Sequence, residues 1–255
     1  MKDSSKYYLT DHYSWVKTET GTFMCAHETA DGLVYSVLSQ DKHTLLEGNA
    51  SYMEFKKNDK LVDSPSAAYI YRIQCPNLWN CIGTNIIRQV IRASQAKNMY
   101  RTFSEYVGER VILTGGIRYH LFPSPQKVLE TPDSTYQRMG MSFKRDALKS
   151  AARFILEHAD RLEKIQAPDL LDELMKIHRV GSWTARATVA DYTNELATYP
   201  YGDAAIRFYA REALPYHEWP KEEVAFIQEL HKVAGVENIS SSIATLIMVH
   251  EIKRD

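Results

Sequence analysis

The sequence predicts an α+β protein, predominantly α-helical, in which a small N-terminal antiparallel β-sheet domain precedes a larger helical one. Three observations carry that expectation. Before residue 73, short runs rich in Tyr, Val, Phe and Thr alternate with the turn-like triplets Glu19-Thr20-Gly21, Ala30-Asp31-Gly32 and Glu47-Gly48-Asn49. From Pro76 onward, apolar residues recur at helical spacing in nearly every segment. Between Leu174 and Arg207, two helical patterns are joined by a short turn containing Gly181, and a loop ending in Gly202-Asp203 follows. The expected division is therefore residues 1–73 and 74–255, with a helical hairpin at 169–192.

Taken in order, residues 7–9, 21–26, 32–38 and 50–55 read as strands of one small sheet. Thr84 or Asn85 can cap a long helix whose apolar positions include Ile86, Ile87, Val90, Ala93, Ala96, Met99, Phe103 and Tyr106, with Gly108 at its end. Ser124 suits the cap of a short helix, with Pro125 in the first turn, where a missing N–H costs nothing. The next helix opens at Ser142 and turns Ala147, Leu148, Ala151, Phe154 and Ile155 inward. Pro168 and Asp169 start a helix with Leu170, Leu171, Leu174, Met175 and Ile177 on one face, stopping near Ile177. After Gly181, Ser182 can cap a second helix in which Trp183, Ala187 and Ala190 share a face. The N–H groups of such a turn and helix start point outward together, which makes a ready anion site. Residues 223–233 and 239–252 read as two further helices.

At 255 residues, 44% hydrophobic and 25% charged, the composition is that of a globular chain able to bury a sizeable core. No apolar run approaches transmembrane length, and residues 1–15 lack the apolar centre of a signal peptide. A monomer with no membrane association is expected, in the cytoplasm, at the nucleoid in a bacterium or in the nucleus of a eukaryote. Cys25, Cys75 and Cys81 form neither a disulfide framework nor a four-cysteine cluster, and the nine His residues show no ligand spacing, so no metal is assigned. The formal charge is −1, so any grip on a polyanion must be local. Arg88, Arg92, Lys144, Arg145, Lys149, Arg179 and Arg186 could form such a strip; the alternative is that they are solvated helix faces.

The stretch Ile177-His178-Arg179-Val180-Gly181-Ser182-Trp183-Thr184-Ala185, followed about twenty residues later by Asp203, resembles the helix-hairpin-helix (HhH-GPD) DNA glycosylase superfamily. Its turn ordinarily reads Pro-Gly-(Ile/Val)-Gly, so His178 and Arg179 are departures, the second replacing a Gly at a tight bend. Three upstream segments match in the same order: Ile86-Ile87-Arg88-Gln89-Val90, Leu121-Phe122-Pro123-Ser124-Pro125, and Met139-Gly140-Met141-Ser142-Phe143-Lys144-Arg145. The layout is similar to the 3-methyladenine DNA glycosylase II and 8-oxoguanine glycosylase branch. The cysteine pattern does not fit the iron–sulfur branch.

That resemblance implies a monofunctional enzyme of base excision repair that flips a damaged or modified base from double-stranded DNA and hydrolyses its N-glycosidic bond. Asp203 falls at the catalytic carboxylate, which stabilises the oxocarbenium-like transition state; read without the resemblance, Asp203 is a helix N-cap. Trp183 stands where bifunctional members carry a nucleophilic Lys, so lyase chemistry is not expected, and with Gln89 it would line the base pocket. Val90 would be the wedge that fills the gap left by the flipped nucleotide, and Arg179, Val180, Gly181, Ser182 and Thr184 would hold the DNA backbone. No cofactor is required, and a monovalent cation is implied at the hairpin. The alternatives are a non-enzymatic DNA-binding or lesion-sensing protein, and a helical protein that has lost contact with DNA.

Overall fold

The computed structural model describes residues 6–19, 21–29, 32–39, 44–47, 52–62, 67–162 and 164–253. Its strands are β1 (Lys6–Leu9), β2 (Val16–Lys17), β3 (Thr22–Thr29), β4 (Gly32–Ser39), β5 (Thr44–Glu47), β6 (Tyr52–Lys56), β7 (Tyr69–Ile73), β8 (Arg110–Leu113) and β9 (Ile117–His120). The helices are α1 (Leu78–Arg88), α2 (Ala93–Val107), α3 (Pro125–Glu130), α4 (Asp133–Arg138), α5 (Ser142–Leu162), α6 (Ala167–Leu174), α7 (Ser182–Thr193), α8 (Ala204–Ala213), α9 (Glu223–Ala234) and α10 (Ile239–Ile252). The protein is α+β and mostly helical, as the sequence predicts.

The N-terminal strands do not form one sheet. β1, β7 and β6 make a three-stranded sheet in that order, with β1 parallel to β7 and β6 antiparallel to it, while β2 to β5 form a separate antiparallel sheet. The chain accordingly divides into two interleaved units rather than at residue 73. One comprises Met1–Asp11, Tyr52–Gln74 and Asn194–Asp255, the other His12–Ser51 and Cys75–Thr193. The physical reason is that β7, which sequence patterning overlooks, pairs with both β1 and β6, drawing β1 away from β2 and β6 away from β5.

In the first unit, β7 carries a fully buried cation. Arg72 donates to both carboxylate oxygens of Asp11 at 3.1 Å and to Asn194 Oδ1 at 2.8 Å, tying the central strand to the chain after β1 and to the start of the C-terminal segment. A buried guanidinium is tolerable only with such partners. Asn58 plays a similar part: its side chain donates to the Ala234 carbonyl (3.0 Å) and to Ser242 Oγ (2.8 Å), and its N–H donates to Thr245 Oγ1 (2.9 Å), fastening the segment after β6 to α9 and α10. Residues 242–250 of α10 are all buried, as expected of a helix apolar on every side.

The second unit is built round α1, whose residues from Leu78 to Ile87 are all buried. Asn77 caps it by accepting from the Asn80 N–H at 2.7 Å. The expected cap at Thr84 or Asn85 and the single long helix are therefore corrected: both residues lie inside α1, and the helix breaks at Gln89 before α2 begins. The break coincides with Val90, whose φ is +64°. At Gly83 a Cβ would lie 2.4 Å from the Phe122 ring, so only glycine lets that ring pack on α1 and stack with Tyr100 (centroids 5.0 Å apart). Ser124 caps α3, and Pro125 opens it, as expected. The β8–β9 hairpin was not expected; its Val111, Leu113 and Tyr119 pack with Met24, Ala26 and Val37 of β3 and β4. No single helix among the described residues is long and apolar enough to cross a membrane.

Arg72→Met is expected to destabilise the protein by about 3–5 kcal/mol, because it retains bulk but removes the guanidinium from the Asp11 carboxylate and from Asn194 Oδ1. Urea denaturation checks this; a loss of under about 1 kcal/mol would show that the buried cation is dispensable.

Candidate functional site

α6 and α7 form the predicted hairpin, and its turn is anchored from inside. Ile177 and Val180 belong to the same buried core as Leu170, Leu174, Ala185 and Val189. The Val180 N–H donates to the Ile177 carbonyl at 3.0 Å, closing the turn. Between them Arg179 has φ +65°, the left-handed conformation that glycine adopts freely and a side chain resists. The bend is thus kept at a cost, and the guanidinium is left half-exposed within 3.5 Å of Asp146.

Two expectations about this turn need correction. Val180 offers a phosphate neither its N–H, which is spent within the turn, nor its side chain, which is buried. Ser182 is the first residue of α7 rather than its cap: the Gly181 carbonyl accepts the first helical bond, from Ala185 at 3.0 Å, which makes Gly181 the N-cap. Gly181 and Ser182 are exposed, and Thr184 is buried with its hydroxyl accepting from Gln89.

Gln89 joins this hairpin to the loop between α1 and α2. Its Nε2 donates to the Arg179 carbonyl (3.1 Å) and to Thr184 Oγ1 (2.8 Å), while its own carbonyl accepts from Lys144 Nζ at 2.6 Å. Val90, held between them, is fully exposed and in the left-handed conformation. A β-branched residue there is a genuine outlier, costing about 1–3 kcal/mol. An apolar side chain held strained in solvent contributes nothing to the core.

Lys144 was expected on a surface strip. It is instead buried, which pushes its ammonium down to about 8, so it stays cationic at neutral pH while donating to Gln89. The sequence held a clue to this, since Lys144 shares the spacing of the inward-facing Ala147, Leu148 and Ala151. Within the strip, Arg145 pairs with Asp133 and Asp146, Lys149 with Asp133, and Arg88 with Asp191. Asp191 is not among the expected site residues, although a carboxylate four residues after Ala187 on a buried face calls for a partner. It accepts from Asn85 Nδ2 at 2.9 Å. Trp183, half-buried in the first turn of α7, faces the Arg88 guanidinium, 5.7 Å from the ring centroid.

Asp203 belongs to the other unit and is the N-cap of α8, its Oδ1 accepting from the Ile206 N–H at 2.9 Å. Its carboxylate is half-buried. Gly202 precedes it because a Cβ there would lie 2.7 Å from Ile227 Cδ1 and 2.8 Å from Glu223 Cγ, so α9 fixes the loop from which Asp203 emerges. Cys25, Cys75 and Cys81 are buried and reduced, and no three His, Cys, Asp or Glu side chains among the described residues group as metal ligands.

If Val90 is strained for reasons other than stability, Val90→Gly is expected to raise stability by about 1 kcal/mol, since nothing buried is lost. Lys144→Met should lower it by about 1.5–3 kcal/mol by removing a charged donor from a buried carbonyl. Both follow from shifts in the urea midpoint at constant slope; a destabilised Val90→Gly would mean that the side chain packs after all.

The chain matches no family model, and no curated protein resembles it in sequence. Solved structures do resemble it in fold. The 3-methyladenine DNA glycosylase from Archaeoglobus fulgidus superposes with a TM-score of 0.68 at 15% identity, over 94% of this chain and 90% of that one. The Clostridium acetobutylicum 8-oxoguanine glycosylase/lyase, bound to double-stranded DNA with cytosine opposite 8-oxoguanine, gives 0.63 at 14% identity over 95% and 88%. The DNA-3-methyladenine glycosidase from Bacillus halodurans gives 0.52 at 14% identity, over 80% and 95%. Matched in architecture across most of its length, the chain has the fold of the helix-hairpin-helix DNA glycosylases.

Proposed function

We propose that the protein is a monofunctional DNA glycosylase that flips a damaged or modified base out of double-stranded DNA and hydrolyses its N-glycosidic bond, working as a monomer in the cytoplasm or nucleus. The observation that carries the reading is the strained, fully exposed Val90, latched through Gln89 to the turn of a hairpin whose bend is kept despite Arg179. A wedge tied to a phosphate-binding turn suits a protein that must unstack one nucleotide while gripping the strand.

The chemistry follows from the side chains. As the C1′–N bond breaks, its electron pair leaves with the base and positive charge builds on the deoxyribose. The Asp203 carboxylate offsets that charge and orients a water, whose oxygen bonds to C1′ as its proton passes to the carboxylate or the base. Trp183 offers a stacking face, and Gly181 and Ser182 offer N–H donors to a phosphate at the helix start. With a Trp where an amine would be needed, no Schiff base forms at this position.

Incubation with duplexes carrying a panel of lesions, read with and without hot alkali, tests the reading: base release with breaks that require alkali supports it, and release of no base overturns it. Asp203→Asn should slow single-turnover release roughly a hundredfold or more while leaving stability almost unchanged. Asn caps a helix as well as Asp, so the variant separates catalysis from capping. Borohydride added during turnover should trap no covalent protein–DNA adduct. Arg179→Gly relieves strain and removes one cation, so binding should weaken modestly across all sequences, with the salt dependence flattened by about one phosphate contact. An unchanged slope would show that Arg179 points away from DNA.

A further inference from the structure

A base that stacks on Trp183 meets a charge already in place. Arg88, the last residue of α1, sets its guanidinium 5.7 Å from the centroid of that ring, within the range where a cation is held by the electron-rich face. It is fixed from behind: Nη1 donates to Asn85 Oδ1 at 3.0 Å and stands 3.6 Å from Asp191 Oδ2. The Asp191 side chain is 1% exposed and that of Arg88 20%, so the accessible end of the ion pair is the positive one. Because Gln89 and Val90 follow directly, this cation sits at the root of the exposed wedge.

The consequence for a flipped base depends on its charge. A purine alkylated at N3 or N7 is itself a cation, attracted to an aromatic ring by the same quadrupole that holds Arg88. On the face that Arg88 covers, it must displace the guanidinium from beside the buried Asp191. On the opposite face, it stacks on a ring whose negative potential is already engaged, with a like charge nearby. A neutral base bearing carbonyl oxygens meets neither penalty, and its lone pairs are drawn toward the guanidinium.

We propose that Arg88 is a specificity-determining residue that commits the site to neutral, carbonyl-bearing lesions, the oxidised or deaminated bases, and disfavours cationic alkylated purines. This rests on the glycosylase reading and narrows it.

The test compares single-turnover release from duplexes containing one hypoxanthine, uracil or 8-oxoguanine with release from duplexes containing 7-methylguanine or 3-methyladenine. The protein is used as wild type, Arg88→Gln and Arg88→Lys. The wild type should release at least one neutral lesion roughly tenfold or more faster than either alkylated purine. Arg88→Gln should move that ratio about tenfold toward the cationic bases, and Arg88→Lys, which keeps the charge, should restore it. A merely structural Arg88 would lower all rates together and leave the ratio where it was, which overturns the proposal. Faster release of alkylated purines by the wild type overturns it too, while the glycosylase reading stands, and this comparison decides even where the Gln variant fails to fold. Release of no base from any duplex overturns both.

Discussion

The hydrogen bonds of Gln89 are the constraint on which the candidate site depends. Two residues in this region, Val90 and Arg179, sit in the left-handed conformation without being glycine, at about 1–3 kcal/mol each. Neither would stay there alone. Gln89 holds both, its side chain reaching the Arg179 carbonyl and Thr184 while its own carbonyl receives the Lys144 ammonium. The burial of Ile177 and Val180 on either side of Arg179 supplies the remaining restraint. Strain concentrated in two adjoining loops, over-determined by the core beneath, is the usual condition of a surface that must be rigid before its ligand arrives.

Charge is handled in the same manner. Arg72, Lys144 and Arg88 are buried or nearly so, and each is satisfied by named acceptors rather than by solvent. A chain with a formal charge of −1 can therefore carry many cations without presenting a basic face, since Asp133 and Asp146 take up Arg145, Lys149 and Arg179 at the surface.

Much of this was legible in the sequence because it rests on local rules. The register of the hairpin, the Ser124 cap with Pro125 behind it, and the last two helices are set by residues within a few positions of one another. What could not be read depends on partners distant in the chain. Val90 falls at a helical spacing from Ile86, Ile87 and Ala93, and only the folded chain, through its backbone angle and full exposure, distinguishes it from a core residue. β7 is invisible until β1 and β6 pair with it, across intervals of more than fifty residues in the case of β1. Lys144 and Asp191 each occupy an inward position of a helix, which residue type alone does not reveal because a charged side chain is buried only where a distant partner receives it. The arrangement at Arg179 shows the converse: a residue that violates the local preference for glycine holds the turn because tertiary contacts outweigh it.

The interleaving of the two units carries a consequence for biosynthesis. The chain passes from one to the other after Asp11, Ser51, Gln74 and Thr193. By the time Thr193 has left the ribosome, every residue of the second unit exists and can condense, whereas the first holds only its short strands. β1, though made at the outset, must wait for α8 to α10 before its sheet has a core to cover. Neither unit can be cut from the chain as one piece, and a message truncated just after Thr193 would yield a complete second unit attached to a three-stranded sheet that lacks α8 to α10, an aggregation-prone product.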